Sequence, residues 1–162
     1  MATIFKGIEP SDINSIEDIV RSTGYFYEFE IKTALEIADE TLTGGTEKSG
    51  YLWMKVIDDN ELVAFANYGK NPFSTHSWDL YWIVVHQNSR NKKLGSLLLR
   101  AIEDDIKTLG GKILWIETSG RPLYASTEEF YKRNGYILQA KLKDFYGTDD
   151  PKMIYSKDLR IK

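Results

Sequence analysis

Cysteine is missing from this chain of 162 residues, and proline (four), histidine (two) and methionine (three) are scarce. Without cysteine there is no disulfide framework, no thiolate nucleophile and no Cys-type zinc site, which fits a reducing, cytoplasmic setting. The two histidines, His76 and His86, stand without a carboxylate at ligand spacing. No metal is expected, and both read as loop or strand-end residues. The chain shows no repeat, low-complexity tract or Pro/Gly/Ser-rich linker, so a single domain over residues 1–162 is expected. No run approaches the roughly 18 apolar residues that a membrane span requires. The opening "MATIFKGIEPSD" lacks the cationic and apolar regions of a secretory signal. A membrane partner is therefore not expected. Charge of one sign is also lacking: 21 basic against 24 acidic side chains give a net charge of -3. That excludes the strongly basic footprint of a general nucleic-acid binder.

What is present is apolar and aromatic material, 42% and 13% of the chain, enough for a substantial core. "IEPSDINSIEDIVRSTG" places Ile13, Ile16, Ile19 and Val20 at helical spacing, with Ser11 as the expected cap and Gly24 as the stop. "EIKTALEIADETLTGG" repeats the pattern and is expected to end at Gly44 and Gly45. "YLWMKVIDDNELVAFANYG" reads as two strands joined by a tight turn at Asp58, Asp59 and Asn60. "WDLYWIVV" is a nearly continuous apolar strand, as expected of one buried on both faces.

The stretch "HQNSRNKKLGSLLLRAIE" then gathers Arg90, Lys92 and Lys93 before Gly95, and Leu94, Leu97, Leu98, Ala101 and Ile102 open a helix that Gly110 and Gly111 should end. "KILWIET" follows as a second buried strand, so strand, turn, helix and strand form a crossover that makes the two strands parallel. A short helix through "STEEFYKRNG" and strands in "YILQAKLKDF" and "KMIYSKDL" complete the order ααββ, βαβ, αββ. The segment "DFYGTDDPK", with Asp144, Asp149 and Asp150, reads as a solvated hairpin turn. The basic turn falls at a strand's carboxyl end and a helix's start. There, unpaired N–H groups and mobile cations suit phosphate oxygens. It is not a Walker loop, because Lys92 and Lys93 precede the glycine, and a single glycine is no dinucleotide fingerprint.

The arrangement resembles the GNAT (Gcn5-related) N-acetyltransferase family, whose pyrophosphate loop reads Gln/Arg-x-x-Gly-x-Gly/Ala. In "RNKKLG" Arg90 fills the first position and Gly95 the last, while Lys93 stands where the first family glycine belongs. Lys93 keeps the loop if its backbone stays at negative φ, where its ammonium could meet a phosphate; otherwise its Cβ obstructs the close approach that glycine permits. "FYKRNGY" matches the family's aromatic-Tyr-x-x-x-Gly-aromatic helix through Phe130, Tyr131, Gly135 and Tyr136, and "ILWIET" resembles the strand before it.

The resemblance implies a mixed α/β fold, with a mostly antiparallel sheet, a central splayed parallel pair and flanking helices. It implies acetyl-CoA as cosubstrate and direct acetyl transfer to a primary amine of a small molecule, peptide or protein N-terminus. Backbone groups of Val84 and Val85, with Arg90, Asn91, Lys92, Lys93, Leu94, Gly95 and Ser96, would hold the cofactor. Tyr131 would be the general acid, and Glu117, at the end of an apolar strand, the general base. Asp79 is the reserve base, and a water relay stays open. Tyr25, Phe26, Tyr27 and Phe29 sit where the family builds its acceptor wall, although core packing explains aromatics equally well. Ser119-Gly120 lacks the elbow of a serine hydrolase. The alternative function is a non-catalytic acyl-CoA-binding sensor or docking module. A regulatory domain that binds no CoA ranks last, and a homodimer is left open.

Overall fold

The structure is a computed structural model that describes residues 1–161. Its strands are β1 (Thr3–Lys6), β2 (Leu52–Asp58), β3 (Glu61–Lys70), β4 (Ser77–Val85), β5 (Ile113–Ser119), β6 (Ile137–Gly147) and β7 (Asp150–Asp158). Its helices are α1 (Ile13–Ser22), α2 (Glu28–Ser49), α3 (Leu94–Thr108) and α4 (Ala125–Arg133). The sheet order is β1-β2-β3-β4-β5-β7-β6, antiparallel in the registers β1/β2, β2/β3, β5/β7 and β6/β7 and parallel at β4/β5. The mixed, mostly antiparallel fold with one parallel pair is thus as expected. The parallel register runs only from Ser77↔Ile113 to Leu80↔Ile116, although β4 continues to Val85 and β5 to Ser119.

The chain divides into two compact units, with β4 running through both. The first comprises Met1–Gly69 and Tyr81–Asp104. Its core joins Ile16, Ile19 and Val20 of α1 to Ile31, Ala34 and Ala38 of α2, over Trp53, Phe65 and Val84 of the sheet. Each isoleucine or valine among them contributes about 1.5–3 kcal/mol when fully buried. Trp53 Nε1 donates to Thr41 Oγ1 at 2.9 Å, so the indole is buried without an unpaired N–H. The β2–β3 turn is as predicted, since Asp59 (φ 50) and Asn60 (φ 66) both take the positive φ of a two-residue type I′ hairpin.

The second unit comprises Lys70–Leu80 and the chain from Asp105 onward. α3 ends as predicted: Gly110 (φ 87) donates to Lys107 O at 3.1 Å and Gly111 to Ile106 O at 2.8 Å, the paired bonds of a Schellman cap. Gly111 is also a close approach, because a Cβ there would overlap Ile106 and Trp78.

Five expectations need correction. β1 was not foreseen; its four residues are mostly exposed and carry no apolar alternation. Ser11 is not the α1 cap, since Pro10–Asp12 forms a 3-10 turn and Asp12 Oδ2 accepts the Glu9 N–H at 2.7 Å instead. α2 does break at Gly45 (φ 75, ψ 170), as expected, but a short further helical stretch, which was not foreseen, then runs on to Ser49. A 3-10 turn, Gln87–Ser89, separates β4 from the basic turn. Finally, β4 is not buried throughout, because Tyr81 is 42% exposed.

The exposure of Tyr81 has a local cause. Asn71 N–H bonds Ser77 O at 2.9 Å and His86 N–H bonds Val63 O at 2.8 Å. Val63 to Asn71, just past β3, is eight residues, whereas Ser77 to His86, just past β4, is nine, so the β4 side carries one extra residue between the two bonds. Such a β-bulge frees backbone groups from the ladder and re-aims side chains. Trp82 and Val84 accordingly pack with α1 and α2 while Tyr81 stays open to solvent.

Candidate active site

The basic turn belongs to the first unit. Lys93 O accepts the first α3 bond, from Leu97 N–H at 3.1 Å, so the amides of Leu94, Gly95 and Ser96 form the unladdered first turn. Leu94 is buried and anchors the helix start, whereas Asn91, Lys92 and Lys93 are exposed. The Arg90 guanidinium lies 4.9 Å from the Tyr25 ring centroid, a cation–π contact that props it beside the turn. Lys92 Nζ stands 3.4 Å from Asp58 Oδ2, a loose and exposed pair that a phosphate could replace.

Lys93 does not remain at negative φ: it takes φ 60, with Asn91 at φ 66. The lysine therefore adopts the conformation in which a glycine would be unstrained, at a cost of about 1–2 kcal/mol. Lys93→Gly is expected to raise stability by roughly 0.5–1 kcal/mol after the extra freedom of unfolded glycine is deducted. Thermal unfolding would show a gain of a few degrees, and a lower midpoint would refute the strain assigned to this residue. Val84 is buried in the core and Val85 half-buried, so what they offer a ligand is backbone. Phe26 stacks obliquely on Trp82 at 4.9 Å within the core, while Tyr27 and Phe29 stack on each other at 5.6 Å and are 53% and 70% exposed. His86 is the strand-end residue expected: its Nδ1 accepts Asn88 N–H at 3.1 Å, and its Nε2 lies 3.1 Å from Asp18.

The second unit carries the titratable candidates. α4 ends in another Schellman cap, with Gly135 (φ 87) donating to Lys132 O at 3.1 Å and Tyr136 to Tyr131 O at 3.0 Å. This gives the spacing in "FYKRNGY" a physical reason: Gly135 supplies the left-handed residue, and Tyr136 closes the cap by packing on Tyr131, ring centroids 5.9 Å apart. Tyr131 also meets Phe130 at 5.3 Å and Tyr155 at 5.7 Å and is 5% exposed. Burial, with the Tyr155 phenol beside it, holds the Tyr131 hydroxyl well above the ordinary tyrosine pKa.

Asp79 and Glu117 come together in a cleft of about 360 Å³ lined also by Asn71, Ser74, Ser77, Trp115 and Ile154. Trp115 Nε1 donates to Ser77 Oγ at 3.1 Å, fixing the indole as one wall. Asn71 Oδ1 accepts Phe73 N–H at 2.9 Å, which orients the amide so that its Nδ2 donates to Asp79 Oδ2 at 3.0 Å. Burial in the cleft holds the Asp79 carboxyl above its ordinary pKa, opposed by the Asn71 hydrogen bond and assisted by the charge of Glu117. Glu117 itself pairs with Lys152 at 2.7 Å, and Lys152 sits 4.3 Å from the Phe145 ring centroid. Asn71 and Lys152 were not foreseen. Lys152 lies on β7, which pairs with β5 in a register that only tertiary structure reveals.

Comparison with known proteins supplies the class. The family model for the GNAT acetyltransferases matches residues 14–136. A protein from Desulfovibrio desulfuricans described as a member of the GNAT family is 34% identical over 98% of this chain and 99% of its own, with a TM-score of 0.94. The chain belongs to the GNAT acetyltransferase family and is an acyltransferase. Two more distant structures share the fold. An aminoglycoside 6'-N-acetyltransferase solved with coenzyme A is 20% identical, over 98% of this chain and 97% of its own, with a TM-score of 0.75. A ribosomal-protein-alanine N-acetyltransferase from Brucella melitensis is 18% identical, over 96% and 99%, with a TM-score of 0.77. No curated protein matches the sequence. Among the described residues, no helix is long and apolar enough to cross a membrane.

Proposed function

We propose that the chain transfers acetyl from acetyl-CoA to a primary amine of a small molecule, peptide or protein N-terminus. The reading is carried by the start of α3, where the amides of Leu94, Gly95 and Ser96 lie in one turn with the exposed cations Lys92 and Lys93 and the propped Arg90. Donors of this kind suit a pyrophosphate. The positive φ of Asn91 and Lys93 folds the backbone into a tight turn ahead of the helix, but at Lys93 it is the conformation in which a Cβ stands where the family has glycine, so the titration with acetyl-CoA is the direct test of this loop. The structure solved with coenzyme A supports it by shared fold.

Acetyl-CoA would supply the activated acetyl group as a thioester. The backbone of Val84 and Val85 would orient the carbonyl and pantetheine. Cleft carboxylates would take the proton of the attacking amine, Glu117 being the group the family resemblance implies. Tyr131 Oη would give a proton to the departing sulfur, and its buried hydroxyl stays protonated at neutral pH. No covalent enzyme intermediate is needed, and positioning supplies much of the rate.

Calorimetric titration with acetyl-CoA at two salt concentrations tests the cofactor assignment. Saturable, salt-weakened binding is expected, and Arg90→Ala or Lys92→Ala should each weaken it roughly tenfold, the loss of one charge-assisted contact. Release of free CoA in the presence of an alkylamine, an aminoglycoside or an alanyl peptide then tests transfer. Failure to bind millimolar acetyl-CoA would overturn the proposal. Binding without turnover by any amine would leave the acyl-CoA-binding module, a reading that the engagement of Glu117 by Lys152 favours.

A further inference from the structure

The two carboxylates of the cleft are held differently. Glu117 is in contact with an ammonium, and that ammonium is itself fixed: Lys152 is only 14% exposed and its Nζ lies over the Phe145 ring. An incoming cationic amine would have to displace a nearly buried lysine to reach Glu117. Asp79 has no such competitor. Its hydrogen-bond partner is the neutral amide of Asn71, whose orientation is set by the Phe73 N–H, so one carboxylate oxygen is braced and the group remains able to accept a proton.

We propose, resting on the transferase reading, that Asp79 is the group that takes the proton from the acceptor's ammonium. Lys152 is the positioning residue that holds Glu117 as a fixed negative charge. In the step, one N–H bond of the ammonium breaks, its electron pair stays on nitrogen, and the proton forms an O–H bond on Asp79. The freed pair attacks the thioester carbon, forming C–N as C–S breaks. The departing sulfur takes its proton from Tyr131 Oη, and the second proton lost by the nitrogen returns through solvent to Tyr131, leaving a neutral amide and the CoA thiol. Proton loss from Asp79 to solvent resets the site. The charged groups facing Asp79 are Glu117 from β5 and, across Glu117, Lys152 from β7, while the loop before β4 contributes the neutral Asn71 and Ser74. The raised Asp79 carboxyl narrows the gap to an amine and fits the role.

The sign of the pH dependence follows. Only ionised Asp79 accepts a proton, so kcat/KM should fall as pH drops through its raised pKa. Carboxyl-carbon NMR of protein labelled at aspartate and glutamate, titrated alone and with n-butylamine, reads this without turnover. One resonance should titrate above the ordinary aspartate range, respond to the amine, and be absent from Asp79→Asn. If that resonance persists in Asp79→Asn and disappears in Glu117→Gln, the assignment is overturned. With an acceptor that turns over, Asp79→Asn should lower kcat about a hundredfold and remove the acidic limb, the range of general-base loss. Glu117→Gln should mainly raise KM and retain the limb, and Lys152→Met should alter the limb by freeing Glu117. A limb lost with Glu117→Gln but kept with Asp79→Asn would also overturn the assignment. A wild-type protein that binds acetyl-CoA but acetylates no amine would instead sink the transferase reading, while the NMR result still decides which carboxyl engages an amine.

Discussion

Asp12→Ala is expected to destabilise the chain by about 3–5 kcal/mol, the range for removing one partner of a buried ion pair. Asp12 and Lys55 are 7% and 8% exposed, and their charged atoms lie 2.7 Å apart. The same carboxylate oxygen accepts the Glu9 N–H at 2.7 Å, closing the turn that leads into α1. Truncation would therefore leave a buried ammonium in the middle of β2 with only its longer contact to Glu9, and a backbone donor without its acceptor. Glu9 keeps a contact with Lys55, but a longer one, 3.4 Å, from a side chain that is 73% exposed and so is a weaker counter-charge. Lys55 sits between Phe5 and Phe65 in the strand registers, so it has no easy route to water. Against a typical domain stability of about 5–15 kcal/mol this is a large fraction. Denaturant titration measures it. The double variant Asp12→Ala/Lys55→Met should recover much of the loss, because no unpaired charge is left. A single-variant loss below about 1 kcal/mol would show that the ammonium finds water after all.

The legible parts of the fold were those written in local period and punctuation. α1 and α3 carry apolar residues at helical spacing, Asp59-Asn60 encodes a hairpin by its tolerance of positive φ, and Gly110 and Gly135 mark Schellman caps. β1 escaped because a short, mostly exposed edge strand needs no alternation; its partner β2 supplies the register. The β4 bulge escaped because an extra residue shows only when two strands are compared. The same distinction divides the site. Arg90 to Ser96 is a contiguous turn at a helix start, so sequence reveals it. The cleft depends on β5 pairing with both β4 and β7, which brings Asp79, Glu117 and Lys152 together from distant segments. Glu117 stood out at the end of an apolar strand, yet its ammonium partner could not be read from that strand.

Tyr131→Phe is expected to lower kcat roughly a thousandfold, within the 10²–10⁴ range of general acid–base catalysis, while leaving the Kd for acetyl-CoA within about twofold. The substitution is informative because the ring and the hydroxyl have separable roles. The ring closes the α4 cap against Tyr136 and packs on Phe130 and Tyr155, and phenylalanine keeps these contacts. The hydroxyl has its pKa raised by burial and by the neighbouring Tyr155, so it remains protonated through the neutral range and can serve as an acid. A folded pKa above the unfolded value of about 10 means that the hydroxyl's contribution to stability is fully present below pH 10 and is lost as pH rises further. Wild-type protein should therefore lose stability more steeply than Tyr131→Phe in strong alkali, and kcat should show no basic limb from this group near neutrality. A near-normal kcat in Tyr131→Phe, with the altered alkaline stability retained, would make Tyr131 a packing residue and move the proton donor to solvent.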